Sequence, residues 1–205
     1  MKRHRSTKEK VLLSLALLGL AAAIAGLGTY GTFTSTTSAS QSITTGTVVI
    51  SLGATGASTN RLTVNATGVV PGDTMQRSVD LINSGNQNLA SITLTTTATT
   101  STTLDTDTTN GLQMVIDRCS VAWTESGSSP AFTYTCSGST SSVLASRAIV
   151  GSNLALSNLG ATTAGATDHL RVTLTLPSSA PNSMQGLTST IQYSFTGTQR
   201  AAANQ

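Results

Sequence analysis

The sequence has few of the residue types on which most active sites depend. Of its 205 residues, 3% are aromatic and 9% are charged, and it contains two histidines and two cysteines. A zinc site usually takes three or four ligands from histidine, cysteine and carboxylate side chains. The sequence has no H-E-x-x-H motif, and no serine stands in a G-x-S-x-G turn. We therefore predict that the protein is not an enzyme and holds no metal or other cofactor.

Lysine is confined to the first ten residues, where Lys2, Lys8 and Lys10 stand beside Arg3 and Arg5. The rest of the chain has six arginines, seven acidic residues and no lysine. A nearly neutral surface does not attract DNA, RNA or anionic lipid, so we expect no nucleic-acid partner despite the formal charge of +3. The lack of lysine also excludes the Lys–Asn isopeptide bonds with which some surface pilins lock their strands.

A long apolar run, residues 11–27, follows this basic N-terminus. Small residues then lead to Gly31, and this order of charge, apolar core and small-residue exit is typical of an export signal. We predict that a signal peptidase cuts between Gly31 and Thr32, with the bond between Ala39 and Ser40 as the alternative. The predicted location is therefore secreted, in the extracellular matrix or on the cell surface.

The apolar run has a second interpretation. Its length also suits a membrane-spanning helix, so an uncleaved signal peptide could remain as an anchor. Contact with a membrane is expected only in that form. We divide the chain into a signal peptide (1–31), a flexible segment or donor strand (32–46), a β-sandwich domain (47–199) and a C-terminal tail (200–205).

Apolar and polar residues alternate through most of the chain after the apolar run, which is typical of half-buried strands. About nine short strands separated by turn signals predict an all-β fold, a two-sheet β-sandwich of jelly-roll type. We expect a helix over 143–150 and a long solvated loop over 95–109. The alternating sets are Val48, Ile50 and Leu52; Leu62, Val64 and Ala66; Met75, Val79 and Leu81; Ile92 and Leu94; Leu112, Met114 and Ile116; Leu170, Val172, Leu174 and Leu176; and Ile191, Tyr193 and Phe195.

The two cysteines, Cys119 and Cys136, are predicted to form a disulfide, because export exposes them to an oxidising environment. The residues between them contain turn signals and could form a hairpin. One antiparallel register places three pairs opposite each other on one face: Cys119 and Cys136, Val121 and Tyr134, and Trp123 and Phe132. Closing a loop of this size is worth about 3 kcal/mol in the chain-entropy model.

The remaining polar motifs do not form a recognisable site. His169 is the sole histidine once His4 has left with the signal peptide, and we expect it to be an ordinary surface or edge residue. The acidic stretch 105–111 differs from a calcium-binding loop by one position and lacks the distal glutamate, so a solvated turn is favoured. The sequon at Asn65 falls within an expected strand.

Several short motifs resemble those of the TasA/camelysin family, whose members are exported through a SipW-type signal peptidase. The resemblance extends from the signal peptide to the last expected strand, while the cysteine hairpin departs from the better-known members. Five residues carry its central turns: Pro71, Gly72, Asp73, Asn83 and Gly85. The matching blocks are Gly26–Phe33, Gly46–Thr47, Val70–Asp73, Val79–Gly85, Gln185–Gly186 and Ile191–Phe195.

The resemblance implies a secreted jelly-roll protein whose subunits assemble into fibres of the biofilm matrix. In that family, an N-terminal strand of one subunit can complete the sheet of the next, and residues 32–45 would be that strand here. The implied partners are further copies of the chain. Two alternatives remain: a non-polymerising adhesion or binding module on the cell surface, and the exported metallo-endopeptidase that the camelysin label suggests, which the shortage of ligands disfavours.

Overall fold

Ten strands, one short helix and one 3₁₀ turn make up the described part of the computed structural model, residues 47–63, 65 and 68–201. The predicted signal peptide, both candidate cleavage sites, segment 32–46 and residues 202–205 lie outside the described residues. The strands are β1 Ile50–Leu52, β2 Thr74–Asn83, β3 Leu89–Thr100, β4 Gln113–Cys119, β5 Thr124–Ser128, β6 Ala131–Thr135, β7 Thr140–Ala148, β8 Gly151–Ala155, β9 Thr167–Thr175 and β10 Thr190–Gln199. The helix α1 is Thr103–Thr106, and the 3₁₀ turn is Asn182–Met184.

Antiparallel pairing joins the strands into three sheets. The first has five strands in the order β1-β2-β9-β4-β7, the second has three in the order β10-β3-β8, and β5 pairs with β6. This arrangement confirms the predicted all-β sandwich, with ten strands rather than about nine in the described residues. Within those residues, no helix is long and apolar enough to cross a membrane.

The pairing follows a nested pattern. β5 pairs with β6, β4 with β7, β3 with β8 and β2 with β9, so the chain behaves as one long hairpin that wraps into two layers. Such wrapping is the jelly-roll arrangement. β4 also pairs with β9, which completes the five-stranded sheet. β1 is added beside β2 at the margin of this sheet, and β10 is added beside β3 at the margin of the smaller sheet.

The core lies between the two sheets and follows the predicted alternation. On the larger sheet, most of the inward side chains of β2, β4 and β9 are fully or almost fully buried, and the smaller sheet contributes the inward residues of β3. Burial of such side chains is worth about 1.5–3 kcal/mol each and is the main stabilising term. The fully buried apolar residues include Val79, Leu81, Met114, Ile116, Leu170, Val172, Ile92 and Leu94.

The predicted loop over 95–109 was wrong, because β3 continues through the threonine-rich stretch to Thr100. Threonine is β-branched and suits a strand. Thr96 faces inward with 0% exposure, and its hydroxyl donates to the carbonyl of Ile149 at 2.5 Å. The stretch then forms α1, which Thr102 and Asp105 cap reciprocally.

Two further expectations about strands need correction. The predicted helix over 143–150 was wrong, because these residues lie mostly in β7, where pairing with β4 overrides local helix preference. Leu62 lies in a turn rather than a strand, while Val64 and Ala66, expected in the same strand, lie outside the described residues.

A tight turn leads into β2. The amide of Asp73 donates to the carbonyl of Val70 at 3.0 Å, and Gly72 has φ of 98°, the combination of a type II turn with Pro71 at its second position. The Asp73 carboxylate accepts the Val70 amide at 2.9 Å. Gly72 and Asp73 also bond to Leu176, so the turn fastens the start of β2 to the end of β9.

Candidate functional site

The cysteines form the predicted disulfide, with 5.7 Å between the Cα atoms of Cys119 and Cys136. The predicted register around it was wrong. β5 and β6 pair with Thr124 opposite Thr135, so neither Val121 and Tyr134 nor Trp123 and Phe132 are cross-strand partners. The ladder begins at Thr124, and the indole of the preceding Trp123 donates to the carbonyl of His169 at 2.9 Å.

The β5–β6 hairpin lies over the outer face of the five-stranded sheet. The amide of Tyr134 donates to Oε1 of Gln76 at 3.0 Å, and the guanidinium of Arg171 lies 4.5 Å from the centre of the Trp123 ring. Glu125 accepts from Arg61, and this hydrogen bond lowers the pKa of its carboxyl group. These contacts are structural, because each polar group is used to fix the hairpin on the sheet.

His169 lies on β9, the central strand of the five, and its side chain is partly exposed, so of the two predicted alternatives it is a surface residue and not an edge residue. Its side chain is 26% exposed, and its Nδ1 is 2.8 Å from Oδ1 of Asp80. Its neighbour in the register on β4 is Cys119, whose sulfur is used in the disulfide. Among the described residues, no group of three or more His, Cys, Asp or Glu side chains lies together.

The family described as camelysin metallo-endopeptidase matches residues 6–204. The chain belongs to the camelysin family. The predicted TasA/camelysin membership is thereby confirmed. A search of curated proteins gave no match.

The camelysin family description implies a catalytic metal. The described histidine, cysteine and carboxylate side chains can be compared with the ligands that such a metal needs. The one described histidine has a single carboxylate in contact, and the neighbouring cysteine is oxidised. Three or four donors are needed for a zinc site, with an open position in a catalytic one. The described residues therefore do not fit such a metal, and we derive no hydrolytic step from them.

The margins of the sheets are the remaining candidate site, because an unpaired strand edge can accept another strand. Three of the four edge strands of the two larger sheets are poor acceptors. β1 has three residues, and β8 has five with a positive φ of 51° at Asn153. β7 has two irregularities in its register, carries Arg147 and accepts the Ser157 amide at Val143. Short length, bulges and charge are the usual protections of an edge.

β10 has none of these protections in its central part. It is ten residues long, contains no charged residue and no proline, and pairs with β3 in an unbroken register from Ile191 to Thr198. Among the described residues, β10 has β3 as its one strand partner. Alternate N–H and C=O groups along its other side, which we call the β10 edge, therefore face away from the sheet.

The inward side chains next to the β10 edge are incompletely covered. Ile191, Tyr193 and Phe195 pack against the core but are only half-buried, and so is Met75 on the opposite sheet. Burial of the phenol nevertheless raises the pKa of Tyr193 to about 12, against the opposing effect of the Arg77 charge. Within the part of the chain that the structure describes, the row thus combines an apolar interior with a side that no strand covers.

β1 closes one end of this open side. A Cβ on Gly197 would lie 2.4 Å from Cδ1 of Ile50, so the glycine allows β1 to pack closely against β10. Arg77 is buried near the other end, at 5% exposure. Its inward position could have been recognised in the sequence, since it shares the alternation of Met75, Val79 and Leu81.

The segment just before β1 is fastened to the β2–β3 loop by the motif residues Asn83 and Gly85. Asn83 is fully buried and accepts the Gly85 amide at 3.1 Å. Asn86 and Ser84 donate their amides to the carbonyls of Thr47 and Val49, both at 3.0 Å. This loop therefore fixes the backbone of residues 47–49 just before β1.

We expect Gly85→Ala to loosen this attachment. The added Cβ would lie 2.3 Å from the carbonyl oxygen of Thr47, so the two backbones must separate. The expected loss in the free energy of unfolding is about 1–3 kcal/mol, as for other overpacked sites, measured by urea denaturation. Ser84→Ala, at the exposed neighbouring position, is the control and should change stability by less than about 0.5 kcal/mol. Equal stability of both variants would contradict the role of Gly85.

Proposed function

We propose that the protein is a secreted, non-enzymatic structural protein of the extracellular biofilm matrix or cell surface. Its subunits assemble into fibres when residues 32–46 of one copy add as a strand to the β10 edge of the next. The observation that carries the proposal is this edge, which is long, uncharged and bordered by half-buried apolar side chains. Membership of the camelysin family supports it.

Strand addition would satisfy both needs of the β10 edge. The backbone of the added strand supplies hydrogen bonds to alternate N–H and C=O groups, and its inward side chains cover the open row. Donor and acceptor are different parts of the molecule, so the contact is head to tail. Contacts of this kind that do not close into a ring give filaments.

The sequence of the proposed donor suits this task. In residues 32–44, every even-numbered residue is serine or threonine, and the apolar residues Phe33, Ala39 and Ile43 all have odd numbers. As a strand, the segment would present only hydroxyl groups to one face, and its three apolar side chains together with Ser35, Thr37 and Gln41 to the other. The apolar set would cover Ile191, Tyr193 and Phe195, and the hydroxyl set would face solvent.

Signal cleavage would control when assembly begins. Until the bond after Gly31 is cut, the donor remains attached to the apolar leader and cannot insert freely into another subunit. A cut after Ala39 would shorten the donor and remove two of its three apolar residues. The proposed site of assembly is therefore outside the cell, with a signal peptidase as the partner that releases the donor.

Proline in the donor should abolish fibre formation. We expect the chain that starts at Thr32 to form fibres, and its Thr36→Pro, Ser42→Pro variant to stay monomeric, because proline lacks the N–H that pairs with an edge. A chain that starts at Thr47 should behave like the proline variant. Electron microscopy and light scattering measure the result. Ala202→Pro with Ala203→Pro in the C-terminal tail is the matched control and should polymerise normally.

Two results would contradict strand donation. Fibres of normal length and rate from the proline variant would show that residues 32–46 are not the donor. Failure of a synthetic peptide of residues 32–46 to slow elongation, compared with a scrambled peptide, would show that no free acceptor exists. A chain that stays monomeric throughout would favour the binding-module alternative.

A further inference from the structure

The smaller sheet differs from the larger one in charge. β3, β8 and β10 contain no Asp, Glu, Lys, Arg or His. The five-stranded sheet contains most of the acids and arginines of the described residues: Arg77, Asp80, Asp117, Arg118, Arg147, Asp168 and Arg171. The sandwich therefore has one charged layer and one uncharged layer, a division that packing of the core does not require.

The outer face of β3 and β10 is a regular array of hydroxyl groups. Alternate residues 91–99 of β3 and 192–198 of β10 point away from the core, and all are serine or threonine except Gln192. We call this the threonine face. Its two rows are in direct register, with Thr93 opposite Thr196 and Thr95 opposite Ser194. Its residues are exposed or half-exposed, whereas the intervening Ile92, Leu94 and Thr96 are buried.

We propose that the threonine face is the surface through which fibres of this protein pack side by side, each face against the same face of a second copy. Each hydroxyl both donates and accepts hydrogen bonds, so two copies related by a two-fold axis can pair without mismatched groups. The absence of charge in this sheet means that bringing two copies together involves no like-charge repulsion and no burial of an unpaired ion.

The size of the face predicts that single subunits do not pair but fibres do. Ten paired residues at about 3.4 Å each across two strands about 4.8 Å apart give a face of about 330 Å². Two such faces bury roughly 700 Å², below the about 1,200 Å² of a stable complex. Repetition along a fibre makes many weak contacts act together. This part of the inference rests on the proposed function, and a donated strand would extend the face with its own serine and threonine row.

Lysine in the threonine face should prevent bundling without preventing polymerisation. The test variant is Ser91→Lys, Thr97→Lys, both at exposed positions of β3, which is paired on both sides and is not the acceptor strand. The control is Thr133→Lys, Thr135→Lys, which adds the same charge at exposed positions of β6. We expect wild-type and control fibres to associate into bundles, and the face variant to give single filaments of normal length, as measured by electron microscopy and turbidity. Bundling of the face variant equal to that of wild type would overturn the proposal.

A second experiment tests the threonine face whether or not the chain polymerises. Particles that display many copies of the secreted chain through its C-terminus should clump for wild type and control, and this clumping should be lost for the face variant. Particles of wild type that stay dispersed would overturn the proposal even if fibres form. Clumping that requires added dextran would assign the face to a neutral polysaccharide, and would overturn self-association as well. Wild-type fibres that stay dispersed would overturn side-by-side packing of fibres, whereas absence of fibres alone would refute only strand donation.

Discussion

Asp168→Ala should lower the free energy of unfolding by about 2–4 kcal/mol, because two backbone amides beside the core would lose their acceptor. Asp168 has 0% exposure, and its Oδ1 lies 2.5 Å from Nε of Arg118, an ion-pair contact without hydrogen-bond alignment. Its carboxylate also accepts the amides of Gly160 at 2.9 Å and Ala161 at 2.7 Å. Alanine would leave these two amides without their acceptor, whereas the Arg118 guanidinium, whose side chain is 31% exposed, keeps its hydrogen bond to the carbonyl of Asn158.

Urea denaturation of the secreted chain measures this effect. Asp168→Asn keeps the size of the side chain and one acceptor oxygen, and should therefore cost less than alanine. Asp73→Ala is the control at an exposed carboxylate, which accepts the amide of Val70, and should cost about 1 kcal/mol or less. A loss at Asp168 no larger than that at Asp73 would show that the buried network does not stabilise the fold.

Removal of the disulfide is expected to cause the second large loss of stability. Cys119→Ala with Cys136→Ala should cost about 3 kcal/mol, because the bond closes a loop of 17 residues and so restricts the unfolded chain. It also joins the end of β4 to the end of the β5–β6 hairpin, so the hairpin should show faster hydrogen exchange than the five-stranded sheet.

Reduction of the unmodified chain provides the matched comparison. Dithiothreitol should lower its stability to that of the double variant and leave the double variant unchanged. Hydrogen exchange followed by mass spectrometry should find the increase within residues 124–135. A double variant as stable as the wild type would show that contacts such as that of Trp123 with His169 hold the hairpin without the covalent bond.

The alternation of side chains was predictable because a strand places successive side chains on opposite faces whatever its partner is. The inward-facing residues of β2, β4 and β9 were therefore predicted correctly from the sequence. The threonine-rich part of β3 was misjudged because composition suggested solvent. Thr96 can be buried there because the carbonyl of Ile149, 53 residues away, accepts a hydrogen bond from its hydroxyl. No local sequence pattern indicates such a partner.

The cysteine hairpin shows the same distinction within one element. Spacing and export were sufficient to predict the bond between Cys119 and Cys136. They were insufficient for the register: the ladder places Thr124 opposite Thr135, and Trp123 precedes it with its indole bonded to the carbonyl of His169 on β9. A register depends on all the partners of a strand, whereas a disulfide needs only two residues within reach.

The all-β class, the family motifs and the disulfide follow from the order of residues, since each depends on neighbours in the chain or on one pair of cysteines. The β10 edge, the threonine face and the buried Asp168 network follow from the assembled sheets. A strand becomes an edge only when its other side finds no partner, and that outcome depends on how the entire nested hairpin wraps. The proposed functions of the molecule lie in this second group, because they use surfaces that exist only after the two sheets have formed.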